Sequence, residues 1–108
     1  MVNITERANG ETTILDLEGN LIMGGGSKKF GQEIRRLVAA GKTNILLDFT
    51  GVKYIDSSGI GELVSGAEAI NSAGGSLKLS NLSAKVEDVI SLSGVRSLFE
   101  IDDQTESE

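Results

Sequence analysis

The stretch Asn44-Ile45-Leu46-Leu47-Asp48-Phe49-Thr50-Gly51-Val52-Lys53-Tyr54-Ile55-Asp56-Ser57-Ser58-Gly59-Ile60-Gly61 passes from one kind of order to another within eighteen residues. Its first third is a short, nearly continuous apolar run, the pattern of a strand buried on both faces. Beyond it, Ile60, Leu63, Val64, Ala67 and Ile70 recur at steps of three and four, so one face of a helix is apolar and packs on a sheet. Between strand and helix lie an acid, two adjacent hydroxyls and a glycine, Asp56-Ser57-Ser58-Gly59. At such a junction the unpaired N–H groups and the positive end of the helix dipole favour negative charge, so a phosphoserine is tolerated there.

The rest of the chain extends the alternation in both directions. Val2 to Ala8 and Glu11 to Leu17 flank Asn9-Gly10, a pair suited to the positive φ angles of a two-residue hairpin turn. Leu21-Ile22-Met23 runs into Gly24-Gly25-Gly26, and Ser27 is placed as the N-cap of a helix with the apolar stripe Phe30, Ile34, Leu37 and Val38, closed by Gly41. The helix after the quoted junction is expected from about Ser58 to Ala73, ending at Gly74-Gly75. Leu77-Lys78-Leu79 reads as a strand. Ser83 caps a third helix carrying Val86, Val89 and Ile90, and Leu98, Phe99 and Ile101 read as a last short strand. The expectation is an α/β fold: an N-terminal β-hairpin, then βα units forming a mixed, mostly parallel sheet with right-handed crossovers. One domain over residues 1–101 is expected, with residues 102–108, acidic and free of apolar side chains, as a flexible tail.

Composition excludes several kinds of chemistry. With 108 residues the chain suits one small domain. A net charge of −6 argues against a nucleic-acid surface, which needs a basic face, and suits a basic or amphipathic protein partner. The absence of cysteine and histidine removes disulfides, the usual zinc ligand sets and any imidazole-dependent triad. Val2-Asn3-Ile4-Thr5 does not have the form of a signal peptide, and no long apolar span follows, so a cytoplasmic protein without membrane contact is expected.

The order of elements and the stretch from Ile45 to Gly61 together resemble the STAS domain family, and within it the bacterial anti-sigma factor antagonists. Weaker matches are Ala73-Gly74-Gly75-Ser76-Leu77-Lys78-Leu79 and Leu92-Ser93-Gly94-Val95. In that family the hydroxyl residue directly after the aspartate of an Asp-Ser-Ser/Thr-Gly motif is phosphorylated by a serine kinase that is also an anti-sigma factor. The resemblance implies Ser57 as the acceptor, Asp56, Ser58 and Gly59 as residues shaping its loop, and Ile60 and Gly61 as partner contacts. It implies the anti-sigma factor kinase and a serine/threonine phosphatase as partners. The dephosphorylated antagonist binds the kinase and frees a sigma factor. Many antagonists carry an aspartate where this chain has Ile22, a departure that implies slow phosphorylation.

Each motif also has a plainer reading. Asp56-Ser57-Ser58-Gly59 serves equally as a capped helix start. Gly24-Gly25-Gly26-Ser27-Lys28-Lys29 lacks the spacing of a phosphate-binding loop and reads as a flexible connection. Ser57 has Ile55 where a nucleophile elbow needs glycine, and no histidine can activate it. Asp48 reads as a strand-end polar residue and Asp56 as turn and cap chemistry, neither being a metal ligand. A phosphorylation-controlled interaction switch, not an enzyme and needing no cofactor, accounts for most of these features. The alternatives are a constitutive scaffold module and a domain binding a small molecule or nucleotide at the helix start.

Overall fold

The computed structural model describes residues 2–102, the side chain of Asp102 excepted, and the segment 103–108 of the expected tail lies outside them. The chain runs β1 (Val2–Asn9), β2 (Thr12–Gly19), α1 (Ser27–Ala39), β3 (Asn44–Gly51), α2 (Ser57–Ser72), β4 (Ser76–Ser80), α3 (Ala84–Leu92), a 3₁₀ turn (Arg96–Leu98) and β5 (Glu100–Asp102). The fold is the α/β fold expected. β1 and β2 pair antiparallel, β2 to β5 pair parallel, and the sheet order β1-β2-β3-β4-β5 is that of the sequence.

That strictly sequential order has a geometric consequence. Right-handed crossovers that always step the same way along a sheet place every helix on the same side. Accordingly the buried residues of α1 (Phe30, Ile34, Leu37), α2 (Ile60, Leu63, Ala67, Ile70) and α3 (Val86, Ile90) form one cluster with Leu15, Leu17, Ile45, Leu47, Phe49, Leu77 and Leu79 of the strands. Among the described residues the other face has no helix. In β3 it carries Leu46 and Asp48, half-buried, and Thr50, exposed, so the expectation of a strand buried on both faces is corrected to one face. Ile14, next to Leu46 in register, is shielded on that face with 5% of its surface exposed.

Several element ends lie one or two residues from where the sequence signals place them. The hairpin turn is Gly10-Glu11, not Asn9-Gly10: Asn9 pairs with Thr12, and only Gly10 takes positive φ (64°), which is what a two-residue turn with glycine at its first central position requires. Ser27 is the first residue of α1 and not its cap. The cap position is Gly26, which has no side chain to cap with and is confined to glycine because a Cβ there would meet Val2 Cβ at 2.6 Å and the Asn20 carbonyl at 2.8 Å. α2 starts and stops one residue earlier than expected. The last strand is displaced: Leu98 ends the 3₁₀ turn, buried Phe99 follows it, and pairing begins at Glu100. Val2 pairs with Gly19 and Asp102 with Ser80, so both ends of the described chain lie where the parallel strands finish.

Candidate functional site

Beyond the ends of β2 and β3 the two chains are pinned together once more. The Leu21 N–H donates to the Tyr54 carbonyl at 3.0 Å and the Asp56 N–H donates to the Leu21 carbonyl at 3.2 Å, making an isolated parallel bridge between Leu21 and Ile55. α2 begins directly after this bridge. Gly59 is fixed by that proximity, since a Cβ would collide with the Leu21 carbonyl oxygen and lie 2.7 Å from Ile55 Cγ1.

Asp56 caps α2. Its Oδ1 accepts from the Ser58 N–H (2.9 Å), the Gly59 N–H (3.2 Å) and the Ser58 hydroxyl (2.6 Å), while Oδ2 accepts from the Met23 N–H (3.0 Å). The Ser58 hydroxyl and then the Met23 N–H are the main causes that hold its pKa down at about 2, outweighing partial desolvation. The carboxylate thus ties the start of α2 to the loop before α1. Ser58 Oγ also lies 3.0 Å from Ser27 Oγ. Since the single proton of Ser58 goes to the carboxylate, Ser27 donates in that pair.

The expected acceptor is placed differently from its neighbour. Ser57 is the first residue of α2 and exposed, and among the described residues its hydroxyl makes no hydrogen bond, whereas Ser58 is half-buried and bonded on both sides. The N–H groups expected to receive a phosphate are already used: those of Ser58 and Gly59 by the Asp56 carboxylate, and that of Ile60 by the Asp56 carbonyl at 2.9 Å. Ile60 is 7% exposed and its side chain belongs to the core, while Gly61 is exposed with open space where a Cβ would stand. Of the two expected partner contacts, then, only Gly61 lies on the surface.

Two large exposed side chains stand beside this loop, to which the sequence pattern assigns no role. Met23 (76% exposed) and Tyr54 (49% exposed) flank the pinned bridge, and Lys85 Nζ stands 4.7 Å from the centre of the Tyr54 ring. Nothing in their spacing marks them, because the bridge that joins them is a long-range contact. Ile22 is half-buried, and its carbonyl accepts from the N–H groups of Gly25 (2.9 Å), Gly26 (3.1 Å) and Ser27 (3.3 Å), so the glycine run directs its donors inward and does not form a phosphate cradle.

Asp48 belongs to another place. It lies on the uncovered sheet face and shares no partner with Asp56. Desolvation raises its pKa, but hydrogen bonds from the Thr50 hydroxyl, the Thr50 N–H and Asn81 Nδ2 outweigh it, and the net shift is downward. It lines a cavity of about 390 Å³ with Thr5, Asp16, Leu17, Glu18, Thr50 and Gly51, and Ser57 is not part of that lining. Among the described residues no three acidic side chains are placed to hold a metal ion, and no helix is long and apolar enough to cross a membrane.

Comparison with known proteins bears on the whole chain. A candidate anti-sigma factor antagonist from Thermotoga maritima superposes with a TM-score of 0.80 at 26% identity, over 96% of this chain and 90% of that one. An anti-sigma factor antagonist from Mycobacterium paratuberculosis gives 0.83 at 17% identity, over 94% and 85%. The Bacillus cell fate determinant SpoIIAA in its phosphorylated form gives 0.71 at 21% identity, over 97% and 96%. No curated protein sequence matches. The family model of the STAS domain matches residues 3–108. With the sheet order, the single helical layer and the capped loop of Asp56 all in place, the chain belongs to the STAS domain family.

Proposed function

We propose that this protein is an anti-sigma factor antagonist working as a phosphorylation-controlled interaction switch in the cytoplasm. Unmodified, it binds an anti-sigma factor serine kinase and so releases a sigma factor; phosphorylated on Ser57, it lets the kinase go, and a serine/threonine phosphatase resets it. The observation that carries this reading is the contrast at the start of α2, where Ser57 is exposed and its hydroxyl makes no hydrogen bond among the described residues, while Asp56 beside it bonds both to the first turn of α2 and to the Met23 N–H. An acceptor must be accessible, and the exposure of Ser57 beside a hydrogen-bonded Asp56 supports that reading.

The mechanism is local. A phosphate on Ser57 carries about −1.5 to −2 charges near neutral pH. The nearest helix-start N–H groups being engaged by Asp56, the phosphate projects into solvent, into the space the kinase occupies in the bound state. Burying it unpaired costs several kcal/mol, enough to lower affinity by orders of magnitude. Met23, Tyr54 and Gly61 supply the contact surface around it.

The test is phosphorylation by anti-sigma factor kinases of the source genome, with ATP and site mapping by tandem mass spectrometry. Ser57 takes the label, Ser57→Ala takes none, and the phosphorylated protein loses kinase affinity. Phosphate on another residue, or equal affinity of both forms, overturns the reading. Ile22→Asp raises the labelling rate if the isoleucine slows the reaction.

A further inference from the structure

Asp56 is followed by two hydroxyls, and the structure treats them in opposite ways. Ser58 Oγ has one proton and two lone pairs. The proton is held by Asp56 Oδ1 at 2.6 Å, and a lone pair takes the proton of Ser27 Oγ at 3.0 Å. Ser27 itself is 7% exposed, held in the first turn of α1 by the close passage of Gly26 against Val2. Nothing comparable holds Ser57, which is exposed and makes no hydrogen bond among the described residues.

Transfer of a phosphoryl group from ATP makes one O–P bond, breaks the bond from the γ-phosphorus to its bridging oxygen, releases ADP and passes the hydroxyl proton to a base on the kinase. The acceptor oxygen must present a lone pair in line with that phosphorus and be free to give up its proton. Ser58 has its oxygen turned inward and its proton bound to a carboxylate that, with a pKa of about 2, is too weak a base to remove it. The proton is held and not withdrawn. Without the Ser27 hydroxyl, Ser58 keeps one bond, loses the one that draws it toward α1, and can turn to solvent.

We infer that Ser27 is a specificity-determining residue: by donating to Ser58 Oγ from the start of α1, it closes that hydroxyl and confines phosphoryl transfer to Ser57. The inference rests on the reading of this chain as a kinase substrate, and it adds to it a residue 31 positions from the acceptor's neighbour. Ser27 touches neither ATP nor the transferred phosphate; it is a positioning residue acting through Ser58.

Two measurements test it. The first compares labelling by ATP and the kinase of the unaltered protein, Ser57→Ala, Ser27→Ala and the double variant Ser57→Ala/Ser27→Ala, with the site mapped by mass spectrometry. Ser57→Ala is blank, and the double variant regains label on Ser58, at least tenfold above that background; a double variant as blank as Ser57→Ala, with the same melting temperature, overturns the inference. The second needs no kinase. Three-bond couplings give a single χ1 rotamer for Ser58 in the unaltered protein and averaged rotamers in Ser27→Ala, and a Ser58 that stays in one rotamer refutes the role of Ser27. If no kinase labels the unaltered protein, the functional reading fails, and the rotamer result alone still decides whether Ser27 closes Ser58.

Discussion

Asp56 accepts four hydrogen bonds from three residues, and this concentration makes its charge a source of stability with a definite pH signature. Its pKa falls from 3.8 to about 2 on folding. A carboxyl with a depressed folded pKa contributes fully above its unfolded value, and that contribution is lost as pH falls through the folded one. Asp56→Asn is therefore less stable than the unaltered protein at pH 7, and the difference shrinks between about pH 4 and about pH 2; urea titrations across that range measure it. Asp48 is untouched in both proteins, so the difference isolates Asp56. Two glycines of the same helix turn give opposite outcomes. Gly59→Ala drives a methyl into the Leu21 carbonyl and costs about 1–3 kcal/mol or more. Gly61→Ala meets open space, raises stability by about 0.4–1 kcal/mol, and weakens kinase binding if position 61 lies in the interface. Asp56 as cap was legible because carboxylate, spacing and apolar stripe are local. The bond from Ser27 to Ser58 was not, since it spans two helices whose approach depends on the whole fold.

Among the elements, helix ends were read best, because a glycine in the left-handed region leaves a mark in the sequence itself. Gly41 and Gly74 both take positive φ, 81° and 82°, and in each case the N–H of the following residue reaches back to a carbonyl five positions earlier (Lys42 to Leu37, Gly75 to Ile70). The pair Gly74-Gly75 looks redundant in sequence but answers two demands. Gly74 supplies the dihedral, and Gly75 lets β4 start against the carbonyl of Thr43, where a Cβ would overlap the backbone. Gly74→Ala accordingly costs roughly 1–2 kcal/mol, and Gly75→Ala costs more, as thermal unfolding of the two variants records. β5 starts two residues later and ends one residue later than the sequence pattern suggests, because Leu98, Phe99 and Ile101 satisfy an alternating pattern only in part. Only Phe99 of that group is fully buried, and the backbone coils through a 3₁₀ turn before it pairs.

At the scale of the whole molecule, the sequential strand order decides more than any motif. Among the described residues it sends the three α-helices to one face and leaves a largely parallel sheet half uncovered, an arrangement unusual for parallel strands. The sequence of β3 hid this, because Leu46 interrupts the polar alternation of Asp48 and Thr50 and makes the run look apolar throughout. Substitution separates the two faces: Leu47→Ala, in the packed core, costs about 2–5 kcal/mol, whereas Leu46→Ser, on the uncovered face, costs clearly less, and equal losses in chemical denaturation would contradict the single helical layer. The same topology fixes where each end of the described chain emerges. Val2 and Asp102 sit at opposite edges of the sheet yet at the end that carries Ser57, while the Gly10-Glu11 turn lies at the other pole. A fluorophore or affinity handle placed at Gly10-Glu11 therefore reports on the molecule from the pole opposite Ser57.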